Sequence, residues 1–216
     1  MSLAGQRVIV SAGPTYEDID PARFIGNRSS GKMGFALAAE AARRGAEVLL
    51  IAGPVHLPTP ERLRRVDVRG AADMHAAVLA ALPASLYIGA AAVADFTPRR
   101  RADAKLKKTP GSDTLTLELV RTRDILAEVA AHPARPRRVI GFAAETHDIE
   151  RYARGKLDAK RIDMICANRI GVAGLGFESD TNALQVFWRH GQTRLGPAPK
   201  TEIAAQLLDF IDRELP

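Results

Sequence analysis

The stretch FIGNRSSGKMGFALAAEAARRGAEV, residues 24–48, decides the fold. Met33, Leu37, Ala38 and Ala41 recur at helical spacing, which predicts a helix over 29–46. Ser29 or Ser30 can cap its start and Gly45 can end it. Upstream, RVIVSAG (7–13) is a short β-branched apolar run closed by glycine, the mark of a buried strand. Downstream, AEVLLIAG (46–53) reads as the next strand. Together they make a βαβ unit, whose crossover is right-handed. The segment before the helix holds Asn27, Ser29, Ser30 and glycines but no His, Cys or acid, so it offers no evident nucleophile or base.

The same alternation continues outward. RRVDVRG reads as a third strand, AADMHAAVLAAL (71–82) as a helix, and SLYIGAAAVADF (85–96) as a strand running into small residues. DTLTLELV alternates polar and apolar residues as a half-buried strand would. Then come the helix DILAEVAAH, the strand RRVIGFAAE, the charged helix DIERYARGKLDAKRI and the strand DMICAN. NALQVFWRHGQTRLG predicts a hairpin turning at His190-Gly191, and KTEIAAQLLDFIDREL an amphipathic terminal helix. This order predicts an α/β fold: a three-layer αβα sandwich with a Rossmann-like, mostly parallel sheet and a late antiparallel hairpin, in one domain over 1–216. The basic stretch TPRRRADAKLKKTPGSD (97–113), carrying Pro98, Pro110 and Gly111, is the least regular, and long loops inside compact domains often serve as lids.

The chain has 216 residues, 46% of them hydrophobic and 26% charged, with a net charge of +6. No apolar run approaches the ~18 residues of a membrane span. The N-terminus lacks the hydrophobic core of a signal peptide, and the single cysteine, Cys166, sits in an apolar run, so a reducing cytoplasm is expected. The positive charge suits an anionic ligand, but scattered arginines and few aromatics give no nucleic-acid platform. The five histidines are dispersed, and no metal-ligand cluster is predicted.

In an open α/β sheet the ligand lies beyond the carboxyl ends of the strands. Four stretches converge there: 13–34, then Gly89-Ala90-Ala91 through Asp95, then Arg123-Asp124-Ile125-Leu126, and Phe142 through Glu145. The turn Ser29-Ser30-Gly31-Lys32-Met33-Gly34 enters a helix whose free N–H groups favour an anion, although plain capping accounts for it equally well. It matches neither a P-loop nor the dinucleotide fingerprint, and Ile51-Ala52-Gly53 stands where a ribose-binding acid would end strand two. Lys105, Lys107 and Lys108 could close over a triphosphate or be ordinary surface lysines. Lys156 and Lys160, one helical turn apart, share a face and could serve phosphates or solvent. Asp95 could bind a base, a ribose or Mg²⁺, or cap a turn.

Taken in order, SAGPTYEDIDPARFIGNRSSGKMGFALA, AAAVADF, KLKK, VIGFAAET and GFESDTNALQVFW resemble the phosphopantothenoylcysteine synthetase family over about 7–215, with N-x-S-S-G-K-M-G and A-V-A-D the most specific stretches. The resemblance implies a ligase joining 4′-phosphopantothenate to L-cysteine with CTP and Mg²⁺, through an acyl-cytidylate. The N-x-S-S-G-K-M-G and K-x-K-K matches look like the bacterial, CTP-using type. It further implies a homodimer, and either a stand-alone enzyme or the carboxyl-terminal half of a fusion with a flavin-dependent decarboxylase. By residue match, Asn27 contacts the intermediate and Lys105 is the flap lysine. Gly89, Ala90, Ala91 and Asp95 line the nucleotide site, with Arg123, Asp124, Ile125, Leu126, Phe142, Lys156 and Lys160 beside it. Ser29, Ser30, Gly31 and Met33 are assigned to the substrate and its phosphate. The family often has Asn-Pro where Thr122-Arg123 stand, which shifts weight from Arg123 to Asp124. The rival expectations are a nicotinamide-dependent reductase and a non-catalytic nucleotide- or RNA-binding module.

Overall fold

The structure, a computed structural model, describes residues 2–108, 113–169 and 179–215. The first strand, β1 (Arg7–Ala12), is followed by a hairpin of β2 (Tyr16–Asp20) and β3 (Arg23–Gly26). Next come α1 (Lys32–Arg43), β4 (Glu47–Ala52), β5 (Arg64–Asp67), α2 (Ala71–Ala80) and β6 (Leu86–Gly89). A second small hairpin pairs β7 (Phe96–Pro98) with β8 (Leu119–Arg121). The chain continues through α3 (Ile125–Ala131), β9 (Arg138–Glu145), α4 (Ile149–Lys160) and β10 (Met164–Arg169). It ends in β11 (Thr181–Trp188), β12 (Gly191–Pro199) and α5 (Lys200–Glu214).

Eight strands form one sheet in the order β12-β11-β10-β9-β6-β1-β4-β5. The six from β10 to β5 are parallel, and β11 and β12 add the antiparallel edge. The parallel part has the doubly wound order of a Rossmann sheet, and the order in which strands are added reverses between β1 and β6. Alternation along the strands divides the core. Val8, Val10, Leu50 and Ile140 pack under α1 and α5 on one face; Ile9, Ile51, Val139 and Ile165 pack under α2, α3 and α4 on the other. The predicted αβα layering and the late hairpin are both present.

Two expectations need correction. Neither Ser29 nor Ser30 caps α1: the cap is Gly31, in the left-handed conformation at φ 76°, with no side-chain cap bond. A glycine carries that φ without strain. DTLTLELV supplies only Leu119 and Val120 of the three-residue β8, because its alternation meets no large sheet to be half-buried against. Within the converging stretch 13–34 the chain also forms the β2–β3 hairpin, for which no strand was predicted. That hairpin turns polar groups inward. Glu17, 6% exposed, accepts the Ala71 N–H at the start of α2, and Asp20, 1% exposed, accepts the Ala22 and Arg23 N–H groups.

Gly34 fixes how close α1 lies to the sheet. A Cβ there would stand 2.5 Å from the Cβ of Ala12 at the end of β1. The mouth of α1 therefore sits directly over the carboxyl end of β1, beside the reversal point.

Candidate active site

Beyond Gly89 the backbones of the two central strands keep together. Ala92 N–H donates to Gly13 O (2.9 Å), Thr15 N–H donates to Ala92 O (3.2 Å), and the buried Thr15 Oγ1 accepts Ala94 N–H (2.9 Å). This seam carries the small residues Ala90–Ala92 out past the sheet. On one side of them lies a cleft of about 780 Å³; on the other, a pocket of about 120 Å³. Ala91, Ala92, Phe142, Ala143 and Ala144 line both, so the two cavities share a wall.

The large cleft gathers most of the residues singled out for the nucleotide: Gly89, Ala91, Asp95, Arg123, Asp124, Ile125, Leu126, Phe142, Lys156 and Lys160, with Asn27 at its rim. Its walls carry Arg28, Arg121, Arg123, Lys156 and Lys160 against the carboxylates Asp95 and Asp124, a surplus of cations that suits a polyanion. The small pocket holds Ser29, Ser30, Gly31, Met33 and Ala90, so Ala90 faces away from the cleft. Lys105 lines neither cavity: it is exposed on the 99–108 segment, which β2 holds. Of the predicted lid, residues 109–112 lie outside the described residues, as do Gly176, Phe177 and Glu178 of the GFESDTNALQVFW stretch.

The cations are held in place. Lys160 Nζ pairs with Asp124 at 2.8 Å, and Lys156 Nζ with Glu145 at 2.7 Å. Asp124 also caps α3, accepting Ala127 N–H at 3.1 Å. Arg123 donates through Nε to Glu128 (3.0 Å), which is joined on its other oxygen to His75 Nε2 (2.8 Å). The His75 bond is the main force holding the Glu128 carboxyl below its ordinary range, with Arg123 adding to it. Asp95 is exposed at the rim.

Several wall residues went unnoticed in the sequence. Ser11 and Tyr87, both buried, share a hydroxyl–hydroxyl bond of 3.1 Å in the cleft floor. Burial pushes the Tyr87 phenol up to about 12. A hydroxyl at a strand's end was the available signal; its strand alternation marks it only as core. The small pocket gains Asn168, Asn182 and Lys200 from the far end of the chain. Lys200 is 6% exposed and donates to Ser179 O (2.5 Å). Desolvation, followed by Lys32, lowers its pKa. Lys32 in turn pairs with Asp180 at 2.6 Å and keeps that carboxyl low.

Fold and cavities together define a doubly wound α/β domain shaped to hold a polyanion across its reversal point, beside a second, smaller pocket. The chain belongs to the DNA/pantothenate metabolism flavoprotein C-terminal domain family, which matches residues 3–215. It is 49% identical to the coenzyme A biosynthesis bifunctional protein CoaBC of Vibrio cholerae over 99% of this chain and 54% of that protein. The Escherichia coli K12 protein of the same name is 50% identical over 93% of this chain and 50% of that protein. The chain thus spans about half the length of the curated relatives it matches. A crystal structure of the C-terminal domain of a CoaBC protein superposes with a TM-score of 0.82 at 37% identity, covering 98% of this chain and 96% of that one.

Proposed function

We propose that this domain is a phosphopantothenate–cysteine ligase: it activates the carboxylate of 4′-phosphopantothenate with CTP and passes the acyl group to the amine of L-cysteine. The observation that carries this reading is the pair of cavities sharing one wall. A cationic cleft of nucleotide size and a smaller pocket at a helix mouth meet along Ala91–Ala92 and Phe142–Ala144, which suits a reaction between a nucleotide and a phosphorylated acid. The names of the relatives, coenzyme A biosynthesis bifunctional proteins, support it.

In the first step a substrate carboxylate oxygen attacks the α-phosphorus of CTP, the bond to the β-phosphate bridging oxygen breaks, and pyrophosphate leaves. In the second, the cysteine nitrogen attacks the acyl carbon, CMP leaves, and the nitrogen gives up a proton. The substrate supplies the nucleophile, so the protein's work is positioning and charge compensation. Lys156, Lys160 and Arg123 balance the phosphates; Lys105 approaches from the lid; Asn27 donates at the rim without adding charge. Ser29, Ser30, Gly31 and Met33, with the mouth of α1, hold the acid and its phosphate.

Among the described residues no three His, Cys, Asp or Glu side chains come together as a metal cage. That fits Mg²⁺ carried on the triphosphate, which keeps its waters and needs one or two carboxylates; Asp95 is the exposed one at the cleft. Bound there, the ion would neutralise phosphate charge.

A homodimer is proposed with it. The β2–β3 and β7–β8 hairpins lie side by side and expose Phe24, Phe96 and Leu119, apolar surface that a second copy would cover. The buried thiol of Cys166 and the absence, among the described residues, of a helix long and apolar enough to cross a membrane support a cytoplasmic enzyme, alone or fused to a flavin-dependent decarboxylase. The reductase reading is disfavoured by Ala52-Gly53 at the end of β4, where an acid would bind a ribose.

The test is pyrophosphate release from CTP that depends on phosphopantothenate. No release with CTP or ATP removes the ligase reading.

A further inference from the structure

The lid segment does not hang free of the body; β2 holds it. Ile19 O accepts Ala102 N–H at 2.9 Å, and Asp18 pairs with Arg101 at 3.4 Å. The tightest hold falls on the residue after Lys105. Asp20 Oδ2 accepts Leu106 N–H at 3.0 Å, and Arg23 Nη2 donates to Leu106 O at 2.9 Å. Asp20 and Arg23 are themselves joined at 2.5 and 3.0 Å. Both backbone groups of Leu106 are therefore gripped by one ion pair, whose carboxylate is fully buried. The Arg23 guanidinium, with the N–H groups of Ala22 and Leu106, holds the Asp20 carboxyl well below the usual carboxylate range.

We propose that Asp20 is a positioning residue for the lid: through the Leu106 backbone it sets where the exposed cation of Lys105 stands when a nucleotide enters the cleft. The role of Lys105 rests on the ligase reading; the grip on Leu106 does not. A buried carboxylate that accepts N–H groups from two distant segments spends its acceptors on geometry, since no solvent competes for them. Arg23 makes the arrangement two-sided, holding the peptide groups on either side of the Leu106 Cα, so the segment cannot slide without breaking a charge-assisted bond.

The Lys105–Leu106 peptide bond, to which the gripped Leu106 N–H belongs, is itself a trypsin site, and trypsin needs the segment around it released before it can cut. Wild-type protein, Asp20→Asn and Arg23→Gln are digested briefly, and fragment ends are read by mass spectrometry. Cleavage at Lys105–Leu106 should accelerate about tenfold in both variants, the effect of losing one charge-assisted hydrogen bond. In the same proteins KM for CTP in the first half-reaction should rise by up to about five-fold, the most that losing the Lys105 charge costs, while cysteine attack on preformed acyl-cytidylate keeps its rate. Should Asp20→Asn be cut throughout because it fails to fold, Arg23→Gln, altered at a side chain 44% exposed, decides the matter. Cleavage at the wild-type rate, or an unchanged KM for CTP, overturns the proposal. Faster cleavage in a protein whose wild type releases no pyrophosphate keeps the grip and removes the ligase reading instead.

Discussion

Asn27 and Ala92 are tied together across the rim of the cleft: the Asn27 Nδ2 donates to the Ala92 carbonyl at 3.0 Å, and the same carbonyl accepts Thr15 N–H at 3.2 Å. The amide is thereby oriented before any ligand arrives, with its Oδ1 turned away from that carbonyl. Asn27→Asp would set a carboxylate against the Ala92 oxygen and beside an anionic intermediate. The side chain is exposed, so folding should be unchanged, while aminolysis of the acyl-cytidylate falls about 10²–10³-fold, the loss expected for one oriented donor. Rapid-quench measurement of the second half-reaction checks this; turnover at the wild-type rate refutes the role of Asn27.

Lys105→Gln removes an exposed cation from the lid and leaves both cavities intact. Cytidylate formation should slow by roughly five-fold, the worth of one contact charge in water, about 1 kcal/mol. Aminolysis should not change. Equal slowing of both halves would mean that Lys105 acts on something other than the triphosphate.

Three of the cleft's cations, Arg123, Lys156 and Lys160, already have carboxylate partners, which a bound nucleotide would have to exchange. Lys160→Gln frees Asp124, which still caps α3 through Ala127 N–H. The helix should stay stable, and the dissociation constant for CTP should rise by a factor of about five to ten, one phosphate contact. Calorimetric titration at low ionic strength reads it. A loss of thermal stability with unchanged CTP binding would make the Lys160–Asp124 pair a structural tie only.

Gly34→Ala drives a methyl group to 2.5 Å from the Cβ of Ala12. The Ala12 Cβ is fixed to the β1 backbone and cannot rotate away, so α1 has to shift, at about 1–3 kcal/mol. The urea midpoint should fall, and the mouth of α1 should move away from the small pocket. A variant as stable as wild type would show that α1 is less firmly seated on β1.

Tyr87 gives a pH signature. Burial raises its phenol to about 12 in the folded protein, against about 10 in the unfolded chain. A group with a raised folded pKa contributes evenly below the unfolded value, so nothing changes up to about pH 10. Above that the unfolded chain releases its proton first, and stability drops as pH climbs toward 12. Urea midpoints measured from pH 8 to 12 should show a drop that Tyr87→Phe reduces.

Strands and helices were legible wherever burial follows a simple period, as in β1, α1 and α5. The β2–β3 hairpin was not, because Glu17 and Asp20 point inward to bind backbone N–H groups, so its buried positions read as polar. DTLTLELV failed the opposite way: it has a strand's pattern and no broad face to lie on. Four converging segments could be placed at the strand ends from their order alone. Their division into two cavities, with Ala90 on one side and Gly89 on the other, depends on the 13–15 and 92–94 seam, which no local pattern encodes. The partners of Lys156 and Lys160 come from other elements, and their pairing was equally invisible.

The side chains of the common wall are all methyl groups but for one ring, Phe142. Such a surface offers little to recognise chemically. What it imposes is distance: a molecule with a phosphate at one end and a carboxylate at the other can occupy both sides only if its middle is long enough to pass over the alanines. On the proposed reading, a short acid bearing the same two groups would reach either cavity but not both, and the partition would act as a ruler, selecting by reach where it cannot select by contact.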